Sequence, residues 1–153
     1  MVDIVAQPTK SGFLFVFDRV TGVPLWPIDE KPVPKSEAPG EQSWPTQPVP
    51  SKPPAFARQK FTVDDLNPHV DESEKARFRE ILRGARYDGM FTPPSDKQDT
   101  IQFPADDGGA NWGNAAADPE TGLLYVRSAD SPELKLKLTK RLPLRVPQTG
   151  TAE

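Results

Sequence analysis

Few side chains in this sequence have the type and spacing that catalysis or metal binding requires. The one histidine, His69, has no second ligand at a metal-binding spacing, so we expect an exposed loop residue. Two pairs of adjacent carboxylates occur, Asp64-Asp65 and Asp106-Asp107. Because consecutive side chains usually point apart, we assign the first pair to a helix terminus and the second to a solvated turn. No nucleophile elbow or glycine-rich phosphate loop supports a hydrolase or a nucleotide-binding protein.

Three more residues stand beside apolar segments where a ligand could meet them. Lys10 precedes an apolar run, and Asn111 and Trp112 lie in the segment GGANWG. Taken alone, a lysine before a strand is a solvated surface charge, and a turn asparagine is stabilised by its own backbone. A tryptophan that enters a strand is more often a core residue than a pocket residue. Residue type by itself therefore gives none of the three a chemical role.

The composition restricts the class of protein and its partners. The chain has 153 residues, 35% of them hydrophobic, and its 19 prolines predict a large share of loop. A net charge of −3 provides no basic surface for phosphates, so we expect no nucleic acid partner. The absence of cysteine excludes disulfides, thiolate metal sites and a covalently attached c-type haem, but identifies no compartment. We find neither a membrane-spanning run nor a signal peptide.

Residues 9–26 form the element around which the chain is organised. Residues 13–17 (FLFVF) predict a strand buried on both faces, and residues 2–6 predict a neighbouring strand. Residues 18–22 (DRVTG) predict a hairpin turn, because Asp18 can bond nearby backbone groups and Gly22 allows a positive φ. Trp26 then closes the hairpin as an apolar packing anchor.

The middle of the chain predicts an arm followed by helices. The prolines of residues 27–58 predict an extended, ordered cover that cannot hold a regular ladder, pressed onto the body by apolar residues such as Trp44 and Phe56. Thr62 predicts the start of a short helix. Asp71 caps a longer one over residues 72–83, with an apolar stripe at Phe78, Ile81, Leu82 and Ala85. Short strands are predicted over residues 100–103 and 134–138.

A second hairpin repeats the first one. The turn Asp118-x-x-Thr121-Gly122 has the same pattern as Asp18-x-x-Thr21-Gly22, and apolar strands flank both. Repeated hairpins of this kind indicate stacked or radially arranged sheets, and the four-stranded antiparallel blades of a propeller fit the pattern.

At these residues the chain resembles the quinoprotein dehydrogenases, which carry pyrroloquinoline quinone (PQQ) in an eight-bladed propeller, and most of all the glucose dehydrogenase type. The resemblance covers about residues 3–138 and rests on PTKSGFLFVFDRVTGVPLWPI, FTPPS and GGANWGNAAADPETGLLYV. It implies a mainly β fold, namely about two blades of that propeller with a proline-rich insertion and one or two short helices. The expected division is blade strands at 1–26, the insertion at 27–99, the next blade at 100–140 and a frayed tail at 141–153.

The same resemblance implies a function and site residues. In this family a CH–OH group of a sugar or alcohol is oxidised by hydride transfer to the quinone, while calcium polarises the cofactor. Lys10 and Asn111 match family residues that hydrogen-bond the quinone oxygens, Trp112 is a candidate for the pocket wall, and Gly108 and Gly109 allow backbone to approach a planar ligand. The general base and most calcium ligands are expected upstream, so this chain should be inactive by itself.

The resemblance also implies partners and a location for the parent enzyme. Electrons would pass to ubiquinone or a cytochrome, and the parent would lie in the periplasm or at the inner membrane. Two alternatives remain open from the residues: a non-catalytic propeller, and an interaction module in which residues 32–54 present P-x-x-P ligands.

Overall fold

The computed structural model describes residues 2–113 and 115–140, and the predicted tail at 141–153 lies outside them. The described chain consists of short antiparallel strand pairs, one α-helix and one 3-10 turn. The strands are β1 (Ile4–Pro8), β2 (Leu14–Asp18), β3 (Ile28–Pro32), β4 (Thr46–Pro50), β5 (Thr100–Gln102), β6 (Ala115–Asp118), β7 (Leu123–Val126) and β8 (Glu133–Lys135). The 3-10 turn is Val63–Asp65 and the helix α1 is Glu72–Gly84.

The first hairpin forms as predicted, but with a shorter return. β1 pairs with β2, and the turn after β2 is closed by a hydrogen bond from the Gly22 N–H to the Asp18 carbonyl at 2.9 Å. Beyond the turn, one bridge between Phe17 and Pro24 replaces the expected second strand. The predicted burial of residues 13–17 on both faces is wrong. Only Phe13 and Val16 are buried, whereas Leu14, Phe15 and Phe17 are half-buried.

The proline-rich arm contains a ladder, which contradicts the prediction that it could not. β3 and β4 pair antiparallel, with Pro32 opposite Thr46 and Ile28 opposite Pro50. Flanking ladder bonds join the Val33 N–H to the Pro45 carbonyl at 3.0 Å and the Ser51 N–H to the Pro27 carbonyl at 2.8 Å. In an antiparallel pair only every second residue turns its N–H toward the partner strand. The prolines at 32, 48 and 50 occupy the other positions, where no ladder donor is needed.

The predicted packing of Trp44 against the body is also wrong. Its side chain is 73% exposed, because it lies in the loop that joins β3 to β4, beyond the last ladder bond. Phe56, at the end of the arm, is half-buried, and its N–H donates to the Gly12 carbonyl at 2.9 Å. The arm is also fastened in the loop between β3 and β4, where the Lys35 carbonyl accepts from Arg86 at 2.9 Å and the Glu37 carboxylate accepts from the Ser95 hydroxyl at 3.0 Å.

The predicted helix is confirmed at Glu72–Gly84. The Asp71 carboxylate accepts from the Glu74 N–H at 2.8 Å and so caps the first turn. The earlier Thr62 segment forms a 3-10 turn, in which the Asp65 carboxylate accepts from the Thr62 N–H at 2.7 Å. Both are local patterns and both form where the sequence places them.

The turn of the second hairpin repeats that of the first, although here it joins two paired strands. β6 pairs with β7, and the Gly122 N–H donates to the Asp118 carbonyl at 2.9 Å, as Gly22 does to Asp18. The two glycines have φ of 72° and 70°. β5 pairs with β8, so each sheet of the described chain has two strands, and the predicted four-stranded blades are present as half-sheets.

The core lies where these modules meet. It is formed by Phe13 and Val16 of the first hairpin, by the end of the arm and by residues around β5. Phe103 is 2% exposed and its ring centroid lies 5.6 Å from that of Phe61. This small core joins the first hairpin to the loop that precedes the second one.

Candidate functional site

Two loops distant in sequence touch beside the core. The Lys10 carbonyl, in the loop between β1 and β2, accepts from the Gly109 N–H at 2.7 Å. A Cβ on Gly108 would lie 2.5 Å from the Lys10 Cα, and a Cβ on Gly109 would lie 2.7 Å from the Ala57 Cβ. Glycine at these positions is what allows the two backbones to approach this closely. The GGAN segment and the Lys10 loop therefore form one structural unit.

A cleft of about 410 Å³ opens next to this contact. Its wall combines one cation, two neutral polar side chains, two aromatic rings and one carboxylate residue: Lys10, Ser11, Gln102, Phe91, Phe103 and Asp106. Such a wall suits a flat ligand that carries negative charge, because the exposed ring of Phe91 offers stacking surface and the ammonium offers a donor.

Lys10 is exposed and its charge has a neutral partner. The ammonium Nζ donates to the backbone carbonyl of Asp106 at 2.7 Å. Within residues 2–113 and 115–140, Lys10 takes part in no ion pair with a carboxylate. A second anionic group can therefore approach the ammonium without displacing a carboxylate.

The Asp106 carboxylate is held by another lysine. Lys135 on β8 donates to it, and also to the Glu133 carboxylate at 2.8 Å. The other Glu133 oxygen accepts from the Asp106 N–H at 3.0 Å. The Lys135 hydrogen bond, followed by the Gln102 side chain, holds the pKa of Asp106 below its usual value, and Lys135 likewise lowers the pKa of Glu133.

Sequence reasoning missed this Asp106–Lys135–Glu133 cluster. Asp106 does lie in an exposed turn, as predicted, but its carboxylate also belongs to a hydrogen-bonded charge cluster. The spacing of Glu133 and Lys135 places both side chains on one face of a strand, which was a usable signal. Their partner lies 29 residues from Lys135, and no local pattern announces that contact.

Asn111 and Trp112 follow the glycines on the exposed side of the same loop. The Asn111 Oδ1 accepts from the Trp112 N–H at 2.8 Å, and the Trp112 side chain is 91% exposed. Neither residue lines the cleft beside Lys10. The alternative that Trp112 is a core residue is wrong for this chain. The structure thus brings Lys10 together with Gly108 and Gly109, and leaves Asn111 and Trp112 facing outward.

Phe91 contributes an unusual backbone to the cleft wall. Its φ is 65°, the one positive value for a non-glycine residue in the described chain. Aromatic residues rarely adopt this left-handed conformation, and such strain is common at functional sites. Phe91 begins the FTPPS segment.

A second cavity of about 520 Å³ lies away from Lys10, between α1 and the β5–β8 sheet. The helix presents Phe78, Ile81 and Leu82 to it, so the predicted apolar stripe faces an open groove. Arg58 stands at its rim and pairs with Asp65 at 2.6 Å and Asp130 at 2.9 Å.

Metal-ligand clusters and membrane-spanning helices are both absent from the part of the chain that the structure describes. In the described ranges no three His, Cys, Asp or Glu side chains cluster closely enough to hold a metal ion. The helix found there is too short and too polar to cross a membrane.

Two Asp-x-x-Thr-Gly hairpins, each followed or flanked by short antiparallel pairing, and a cationic cleft beside the loop before β2 fit part of a β-propeller. Residues 1–150 match the β-propeller domain described as PQQ glucose/ethanol/alcohol dehydrogenase. The chain belongs to this family of PQQ-dependent dehydrogenases.

Curated relatives agree with this assignment. The chain is 33% identical over 141 residues to the glycerol dehydrogenase large subunit of Gluconobacter thailandicus, which covers 92% of this chain and 19% of that protein. It is 36% identical over 133 residues to the quinoprotein glucose dehydrogenase of Gluconobacter oxydans, covering 86% and 16%. It is 36% identical over 118 residues to the quinate/shikimate dehydrogenase (quinone) of Acinetobacter baylyi, covering 77% and 14%. The chain thus spans less than a fifth of each relative, and no solved structure matches it significantly.

The residues of the cleft fit one side of a PQQ molecule. A planar anionic quinone needs donors, a cation and flat apolar surface, and the cleft offers the Lys10 ammonium, the Gln102 amide and the exposed ring of Phe91. The family cofactor and the donor set of this structure are therefore compatible.

Proposed function

We propose that this chain forms one wall of the cofactor site of a PQQ-dependent dehydrogenase that oxidises a CH–OH group of a sugar, glucose-like in character, or of an alcohol. The observation that carries the proposal is the Lys10 ammonium in an aromatic cleft, bonded to a backbone carbonyl rather than to a carboxylate. Relatives named for glucose, glycerol and quinate support a hydroxylated substrate.

Bound PQQ would supply the quinone carbonyl carbon that accepts a hydride from the substrate. In this proposal the Lys10 ammonium binds the quinone oxygens and stabilises the negative charge that develops on them. The Gly109 N–H bond to the Lys10 carbonyl orients that lysine. Asn111 and Trp112, which face outward beside the same loop, would close over the ligand from the second side.

Further parts of the proposal concern the parent enzyme. Calcium would be held by residues outside this chain's described part, and the general base would come from other blades. Ubiquinone or a cytochrome would accept the electrons, in the periplasm or at the inner membrane. A non-catalytic propeller is the competing function.

The test compares a longer protein, which contains the upstream sequence, with variants of it. With PQQ, calcium and glucose present, Lys10→Gln is expected to lower kcat/KM for dye reduction by about 100-fold, the loss typical of removing one donor to developing negative charge. Lys60→Gln, which removes an exposed lysine just after the arm, is the matched control.

Equal activity of the Lys10 and Lys60 variants would contradict the role of Lys10. The isolated 153-residue chain is expected to reduce no dye, and turnover by it would show that the site needs no other blade. A longer protein that binds no PQQ would favour the non-catalytic propeller.

A further inference from the structure

The cleft holds two opposite charges that do not pair with each other. The Lys10 ammonium bonds the Asp106 carbonyl at 2.7 Å, while the carboxylate of the same Asp106 turns to Lys135. The two groups are close enough that the Lys10 charge contributes to the low pKa of Asp106. A carboxylate beside an ammonium would ordinarily pair with it.

Lys135 is placed to prevent that pairing. It lies on β8 with its side chain 22% exposed, and it holds the carboxylates of both Asp106 and Glu133. Glu133 also fixes the backbone of Asp106 through its N–H at 3.0 Å. Since the Asp106 main chain is anchored in this way, its carbonyl stays directed at Lys10 and its carboxylate at Lys135.

We infer that Lys135 is a positioning residue, which holds the Asp106 carboxylate away from Lys10 and so keeps the Lys10 ammonium available to an anionic ligand in the cleft. The identification of that ligand as PQQ rests on the proposed function, but the arrangement of the charges does not. Without Lys135, the Asp106 carboxylate would rotate to Lys10, the other cation whose charge acts on it. The cleft would then contain an internal ion pair that competes with the ligand.

The experiment is a double-mutant cycle on the full chain with Lys135→Gln, Asp106→Asn and the double variant. The first readout is the contact between the Lys10 ammonium and the Asp106 carboxylate, measured as the distance from the Lys10 Nζ to the carboxylate oxygens in crystal structures of the variants. Lys135→Gln is expected to bring the two groups to within about 4 Å, the distance of an ion pair. In the Asp106→Asn background the same change should leave the Lys10 Nζ bonded to the main-chain carbonyl of position 106.

The coupling between the two sites separates capture of a carboxylate from simple loss of a charge. If the Asp106 carboxylate stays away from Lys10 in Lys135→Gln, the inference is overturned. Lys137→Gln removes the same charge two residues further along the chain and should leave Lys10 unmoved. Lys135→Arg keeps the cation and should behave like the parent sequence. If Lys135→Gln unfolds the chain, Lys135→Met, which keeps the apolar stem without the charge, replaces it in the cycle.

The second readout is PQQ itself, titrated into the longer protein and followed by quenching of tryptophan fluorescence. Lys135→Gln should weaken binding by roughly two- to five-fold in the Asp106 background. Asp106→Asn should restore it. If the parent sequence binds no PQQ, the proposed function fails, and the contact between Lys10 and the Asp106 carboxylate alone decides the inference.

Discussion

Replacing Gly108 with alanine tests the contact on which the cleft depends. The new Cβ would lie 2.5 Å from the Cα and from the Cβ of Lys10 and 2.7 Å from its carbonyl oxygen. These are main-chain and Cβ atoms, which cannot move aside as the end of a flexible side chain can. Gly108 also has φ of 74°, where alanine costs about 1 kcal/mol. Adding an overpacking cost of about 1–3 kcal/mol gives a total loss of about 2–4 kcal/mol.

Gly122 provides the matched control. Its φ is 70°, and a Cβ there would meet no atom within 4 Å. Gly122→Ala therefore pays only the conformational cost of about 1 kcal/mol. Urea denaturation of both variants measures the free energy of unfolding. If the two variants lose the same stability, the close approach of Gly108 to Lys10 does not exist in solution, and the geometry of the cleft has to be abandoned.

Two further predictions concern the core and the turns. Phe103→Ala is expected to lower the free energy of unfolding by about 3–5 kcal/mol, because this ring is 2% exposed; a loss below 1 kcal/mol in urea would refute its place in the core. Hydrogen bonds within the hairpin turns hold the pKa of the Asp18 and Asp118 carboxyls below the usual value. The largest contribution comes from the Thr21 N–H for Asp18 and from the Thr121 hydroxyl for Asp118. A lowered pKa stabilises the fold above about pH 4 and loses that effect as pH falls through the folded value. The urea midpoint should therefore fall in acid, and less steeply in an Asp18→Asn/Asp118→Asn variant; an unchanged slope would contradict the assignment.

Local elements were predictable because their signals are local. The Asp71 cap and the apolar spacing located α1 to within one residue, and the Asp-x-x-Thr-Gly pattern located both turns. The prediction for the arm was wrong because it considered the number of prolines and not their spacing. Prolines two residues apart leave the intervening N–H groups free to form the ladder.

The candidate site was predictable only in part, because it is made of long-range contacts. The resemblance pointed to Lys10 and to the glycines at 108 and 109, which the structure brings together. The bond from Lys10 to Asp106 spans 96 residues, and no periodicity in the sequence encodes it. Lys135 was predicted as part of a strand, but its capture of Asp106 depends on how β8 lies against the preceding loop.

The alternate spacing of the prolines in β3 and β4 also affects how the β3–β4 sheet meets other molecules. An unpaired strand edge normally presents a row of N–H groups that can recruit a strand from another chain. On the outer edge of β4 those donors are missing at Pro48 and Pro50, and on the outer edge of β3 one is missing at Pro32. The β3–β4 ladder is therefore self-terminating: it can form within one molecule, yet it offers a poor template for aggregation along either side.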